Sequence, residues 1–120
     1  MSKKEAVIFD LNKTLRKPSG KPKKHVLKKA KKHEDKDAIV VLSGEPSKDR
    51  PEAREWLDEH GLKSAELDMR PKGAIQHDEK VKEAMLTGKV SRQFKVKKAY
   101  DDKPANVKMF RKHGIKAEKV

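Results

Sequence analysis

Residues 6–15 read "AVIFDLNKTL". Four apolar residues without a polar break suit a short strand buried on both faces, and such strands belong to parallel sheets. The run ends at Asp10. A carboxylate at the end of a buried strand is costly unless something there uses its charge. Asn12 and Thr14 follow, and then a basic loop with Pro18, Gly20 and Pro22.

Outward from this stretch, period and punctuation predict an alternating chain. The first strand covers 5–10. A helix over 23–33 has Val26, Leu27 and Ala30 as its apolar stripe, and "DAIVVLS" at 37–43 is a second buried strand. "PEAREWLDEHG" at 51–61 reads as a helix, with Pro51 in its first turn, Glu52 and Glu55 near its positive end and Gly61 as its stop. A third strand fits 64–69, a helix fits 77–87 and ends near Gly88, and a fourth strand fits 94–100. Pro104 opens a last helix to about His113, stopped by Gly114, and "IKAEKV" supplies a final short strand. Repeated β–α order implies an α/β fold: a five-stranded, mostly parallel sheet between two helical layers, three-layer α/β/α and Rossmann-like. With 120 residues, no linker and no repeat, one domain spanning 1–120 is expected. Nothing sizeable interrupts the loop after the first strand, so no cap domain is expected.

Charged residues make up 42% of the chain and apolar ones 33%, which suggests a thin core under a charged skin. The net charge of +13 favours a polyanionic partner, and no acidic residue lies between Asp10 and Glu34. A lysine-rich solvated surface is the plainer reading of the same run. The absence of cysteine excludes disulfides and thiolate metal sites. No apolar stretch approaches the roughly 20 residues that span a bilayer, and "MSKKEAVIF" has no signal-like core, so a cytoplasmic protein without membrane contact is expected. His25, His33, His60, His77 and His113 show no metal-ligand spacing, and Trp56 reads as core.

Ligands of open parallel sheets bind beyond the carboxyl ends of the strands. Strands one, two and four end in Asp10, Ser43–Gly44 and Asp101–Asp102, so three strands deliver small polar or acidic groups to one edge. Taken singly, Asp10 and Asn12 could be turn residues, Asp102 a helix cap, Ser43–Gly44 a loop start and Lys82 a surface lysine. Their order along one sheet edge favours a site.

Asp10-Leu11-Asn12-Lys13-Thr14 resembles the D-x-D-x-T motif of the haloacid dehalogenase superfamily of phosphatases. "VVLSGE" is similar to the second motif, "KVKEAML" to the lysine motif and "AYDD" to the acidic fourth. Ser-Gly at a strand end, Met69-Arg70 after the third strand, the "VKE" helix and the paired aspartates most resemble the 3′-phosphatase domain of phage polynucleotide kinase/phosphatase.

The resemblance implies a Mg²⁺-dependent phosphatase acting on 3′-phosphorylated DNA or RNA ends, with a separate polynucleotide kinase or ligase as a partner. Asp10 would be the nucleophile that forms an aspartyl-phosphate. Asp10, Asp101, Asp102 and the backbone carbonyl of Asn12 would bind the metal. Thr14, Ser43 and Gly44 would hold the phosphoryl oxygens, Lys82 would neutralise charge, and Arg70 would offer a forked donor. Two residues depart from the pattern. Asn12 stands where the family has an aspartate that protonates the leaving group and activates water, and an amide does neither. Glu45 stands where the nucleic-acid phosphatases have a basic residue. The implied activity is therefore weakened or absent, and the alternative is a non-catalytic nucleic-acid- or partner-binding module. Oligomeric state is left open.

Overall fold

The computed structural model describes residues 3–120. Its strands are β1 (Lys4–Phe9), β2 (Ala38–Pro46), β3 (Glu66–Arg70), β4 (Phe94–Asp101) and β5 (Lys116–Lys119). The helices between them are α1 (Lys24–Glu34), α2 (Arg50–Glu59), α3 (Asp78–Met85) and α4 (Pro104–Lys112). The strands form one sheet in the order β3-β2-β1-β4-β5, and every pairing is parallel. The three-layer α/β architecture expected from the sequence is the observed one, and no cap is inserted among the described residues. Among the described residues, no helix is long and apolar enough to cross a membrane.

Alternation along β1 explains the layering. Val7 and Phe9 face one side, where α1 and α2 add Val26, Leu27, Ala30, Trp56 and Leu57. Ala6 and Ile8 face the other, where α3 and α4 add Val81, Met85, Val107 and Phe110. A central strand covered on both faces needs the unbroken apolar run that "AVIF" supplies. Phe9 stacks on Tyr100 at 4.7 Å, which ties the ends of β1 and β4 together just below the edge where Asp10 and Asp101 emerge.

Most boundaries fall within two residues of expectation, and two differ by more. The helix that begins at Asp78 does not stop at Gly88. It widens into a π turn over Leu86–Val90 and continues through Ser91–Gln93 into β4. Leu86 and Val90 are buried and hold this stretch against the sheet, which outweighs glycine's poor helix propensity. Strand β2 also runs past Ser43 to Pro46, with an irregularity between Ser43 and Pro46 in its pairing with β3.

Candidate active site

The chain steps outward from β1 to β3 on one side and then crosses to β4 on the other, so the strand order reverses beside β1. Asp10 and Asp101 stand at that reversal. The Asp10 N–H donates to the Tyr100 carbonyl at 3.0 Å, continuing the sheet ladder and fixing where the carboxylate leaves the sheet. One carboxylate oxygen each from Asp10, Asp101 and Asp102 lie within 4.8 Å of one another. The carboxylates at the ends of β1 and β4 thus come together at one sheet edge.

Lys82 enters from α3 and is only 1% exposed. Its Nζ donates to Asp10 Oδ1 at 2.7 Å and to Asp101 Oδ2 at 2.8 Å. The Thr14 hydroxyl lies 3.1 Å from Asp10 Oδ2 and 3.3 Å from Asp102 Oδ1, and its single proton serves one or the other. Asp101 Oδ1 accepts the Lys103 N–H at 3.0 Å, while Asp101 Oδ2 also accepts from Asn106 Nδ2 at 3.1 Å. The Asp101 side chain is thus clamped from three directions.

Asp78, which the sequence reading passed over, completes the cluster. It begins α3 one helical turn before Lys82, and its Oδ2 lies 3.8 Å from Lys82 Nζ and 3.0 Å from Asn106 Nδ2. Burial alone would raise its pKa; the Asn106 hydrogen bond and the charges of Lys82 and Lys103 outweigh that and hold it low. The available signal was a carboxylate four residues before a motif lysine in a first helical turn. Gly44 accounts for the close approach. A Cβ there would meet Asp78 Oδ1 at 1.5 Å, so glycine at 44 leaves the space in which the Asp78 carboxylate sits.

Three aspartates, Asp10, Asp78 and Asp101, lie within 4 Å of the one buried lysine, and Asp102 stands beside Asp10 and Asp101. Burial pushes Asp10 up to about 7; Lys82 draws it down and Asp101 pushes it further up. Lys82 itself is raised, because Asp10 and Asp101 outweigh its burial. Asp78 is also paired with Arg70 and Lys103, and the all-oxygen donor set of Asp10, Asp101 and Asp102 fits a hard divalent cation such as Mg²⁺.

The remaining expected residues line one cleft of about 310 Å³ with Asp10, Asp78 and Asp102. Ser43 Oγ accepts the Glu45 N–H at 3.1 Å, leaving its own proton to donate. Arg70 lies in the cleft wall, but its guanidinium is engaged: Nε donates to the Gly44 carbonyl at 2.7 Å, and Nη1 to those of Ala74 and Gln76 at 3.3 and 2.9 Å. Its forked face braces the loop after β3.

Asn12 and Glu45, the two departures, meet on one residue that the sequence did not single out. Arg16 donates from Nε and Nη2 to Asn12 Oδ1 at 3.0 and 2.9 Å, from Nη2 to Glu45 at 3.0 Å and from Nη1 to Glu52 at 2.6 Å. Its guanidinium also lies 5.7 Å from the centre of the Trp56 ring. A buried arginine thus holds the amide in one orientation. Trp56 is core, as expected, covered by His60 at 4.0 Å and tied through Nε1 to the Gly20 carbonyl at 2.7 Å.

The sheet order and the acid–lysine centre at its switch point define a haloacid dehalogenase-type phosphatase fold. More narrowly, the description "Polynucleotide kinase PNKP phosphatase domain" matches residues 3–120, and the chain belongs to that family. Two solved structures of Pnkp1/Rnl/Hen1 complexes, one described as an RNA repair complex, superpose with TM-scores of 0.88 and 0.89 at 21% and 22% identity. They are covered over 98% and 100% of this chain, which spans only 42% and 47% of those chains. The core domain of a Streptococcus pneumoniae protein provisionally assigned as a phosphoglycolate phosphatase superposes at a TM-score of 0.55 and 20% identity, over 98% of this chain and 79% of that one. No curated protein sequence matches the chain.

Proposed function

We propose that this chain is a magnesium-dependent phosphatase that removes the 3′-phosphate from nucleic-acid ends through an aspartyl-phosphate on Asp10. The observation that carries the reading is the convergence of Asp10, Asp101 and Asp102 within 4.8 Å of one another, with Lys82 bridging two of them. Asp10, Asp101, Asp102 and the Asn12 backbone carbonyl would hold the ion. When bound, magnesium neutralises the repulsion between the carboxylates and a phosphate dianion.

The residues then divide the work. Lys82 and Thr14 fix the two Asp10 oxygens so that one faces phosphorus. An Asp10 oxygen forms a bond to phosphorus while the bond to the leaving oxygen breaks. The Ser43 hydroxyl donates to a phosphoryl oxygen, with Gly44 beside it in the cleft wall. The departing alkoxide takes its proton from solvent, because Asn12 has none to give. Water then attacks the aspartyl-phosphate without a base at position 12 and releases inorganic phosphate. Proton transfer by a positioned group contributes about 10²–10⁴ in rate, so both steps run slowly on an alkoxide leaving group.

The family match supports polynucleotide ends as substrates, and the RNA repair complex among the neighbours supports RNA ends handled beside a separate kinase or ligase. A second reading, a module that binds ends without turnover, is favoured by the Arg16 hydrogen bonds that hold Asn12 in place. One assay separates the two: hydrolysis of an aryl phosphate and of a 3′-phosphorylated oligonucleotide with Mg²⁺, for this chain and for Asn12→Asp. A slow enzyme shows magnesium-dependent aryl phosphate turnover and gains about 10²-fold on the oligonucleotide in the variant. Silence of both proteins on both substrates defeats the phosphatase and leaves the binding module.

A further inference from the structure

Lys13 has a backbone φ of +66°, the left-handed region, and it is the only residue other than glycine with a positive φ among the described residues. A side chain there crowds its own backbone, and glycine is the usual occupant. Strain of this kind persists where the surroundings enforce it, and it gathers at ligand clamps. The surroundings here are specific. The Lys13 N–H donates to the Arg16 carbonyl at 2.6 Å, and Lys23 Nζ donates to the Lys13 carbonyl at 3.2 Å. The turn is held, and glycine would suit it better.

What a lysine adds is a cation at a junction. Lys13 lines the active-site cleft and also a second groove of about 540 Å³ between the β1 loop and α2, which the two cavities share at Asn12 and Lys13. The groove adds Lys17, Ser19 and the edge of Trp56. Its single carboxylate, Glu52, is already paired with Arg16 at 2.6 Å. Neither Lys13 nor Lys17 pairs with a carboxylate among the described residues, so the free charge of the groove is positive.

Resting on the phosphatase reading above, we infer that Lys13 grips the phosphodiester next to the terminal 3′-phosphate, and that this groove is the track along which the strand leaves the cleft. A mononucleotide fills the cleft alone, whereas an oligonucleotide fills both. The lysine is kept at a conformational cost because its charge stands where the polymer turns from one cavity into the other.

The test uses Lys13→Gly, because strain and charge move its two readouts in opposite directions. Binding of 5′-labelled ribo- and deoxyribo-oligonucleotides with 3′-phosphate or 3′-hydroxyl ends is followed by anisotropy beside thermal unfolding, with a mononucleotide 3′-phosphate as competitor. Lys13→Gly should hold or raise the melting temperature, weaken the 3′-phosphorylated oligonucleotide roughly tenfold and lower its salt slope by about one. Lys13→Gln should weaken it equally, and Lys13→Arg should restore it. Oligonucleotide affinity unchanged in Lys13→Gly would overturn the inference, as would an equal loss for mononucleotide and oligonucleotide. Equal wild-type affinity for 3′-phosphate and 3′-hydroxyl ends, with the loss in Lys13→Gly intact, supports the groove and overturns the end-processing reading instead.

Discussion

Asp10 and Glu66 are both carboxyls pushed up to about 7, by burial first and then by a neighbouring aspartate, Asp101 in one case and Asp68 in the other. Each cluster also contains a lysine. At Asp10 that lysine is Lys82, 1% exposed and bonded to two aspartates; at Asp68 it is Lys89, whose side chain is 53% exposed and holds one. Around Asp10, three strand ends and the first turn of α3 aim their groups into a shared cleft. Around Glu66 the groups lie along edge strand β3, where Glu66 shares a hydrogen bond with Asp68 and Asp68 pairs with Lys89. A perturbed carboxyl is therefore common to both places, and convergence on a common cavity is peculiar to one. Electrostatic discomfort alone does not mark a site.

The largest effect that tests this contrast is on catalysis. Asp10→Asn should reduce magnesium-dependent aryl phosphate hydrolysis by about 10³-fold or more, as loss of a nucleophile does, while Asp68→Asn should stay within about twofold. Steady-state kinetics of the two variants decides the matter, and a comparable loss in both would erase the distinction. Next comes stability. Lys82→Met leaves Asp10 and Asp101 buried without their cation and should cost about 3–5 kcal/mol in urea unfolding. Lys89→Met breaks a pair whose lysine is half in water and should cost about 1 kcal/mol or less.

The smallest effect is in pH dependence. The folded state holds the Glu66 proton more tightly than the unfolded chain does, so its contribution is full below about 4.5 and is lost as pH rises towards about 7. Glu66→Gln should remove that decline, a change of about 1 kcal/mol or less after solvent screening. Urea midpoints across the window measure it; a slope unchanged by the substitution would exclude Glu66 as its source.

Local pattern carried the sheet and the strand-end residues, because a doubly covered parallel strand has to be written as an apolar run and its terminal acid then stands out. Asp10, Ser43, Asp101 and Asp102 were readable for that reason. Lys82 was readable only through its motif, since nothing local separates it from the other lysines. Asp78 and Arg16 escaped because their meaning lies in partners far along the chain: Asn106 for one, Glu45 and Glu52 for the other. Gly88 misled because a helical propensity was read without the burial of Leu86 and Val90 that overrides it.

The contact at Gly44 has a mechanical consequence. The missing Cβ leaves the space that the Asp78 carboxylate fills at the tip of β2, and the same helix carries Lys82 to Asp10 one turn later. A methyl group at position 44 would expel the Asp78 carboxylate from its seat and loosen its contacts with Lys82 and Asn106. The tip of β2 and the acid–lysine cluster therefore meet at one seat, so a change at position 44 is felt at Asp78 first.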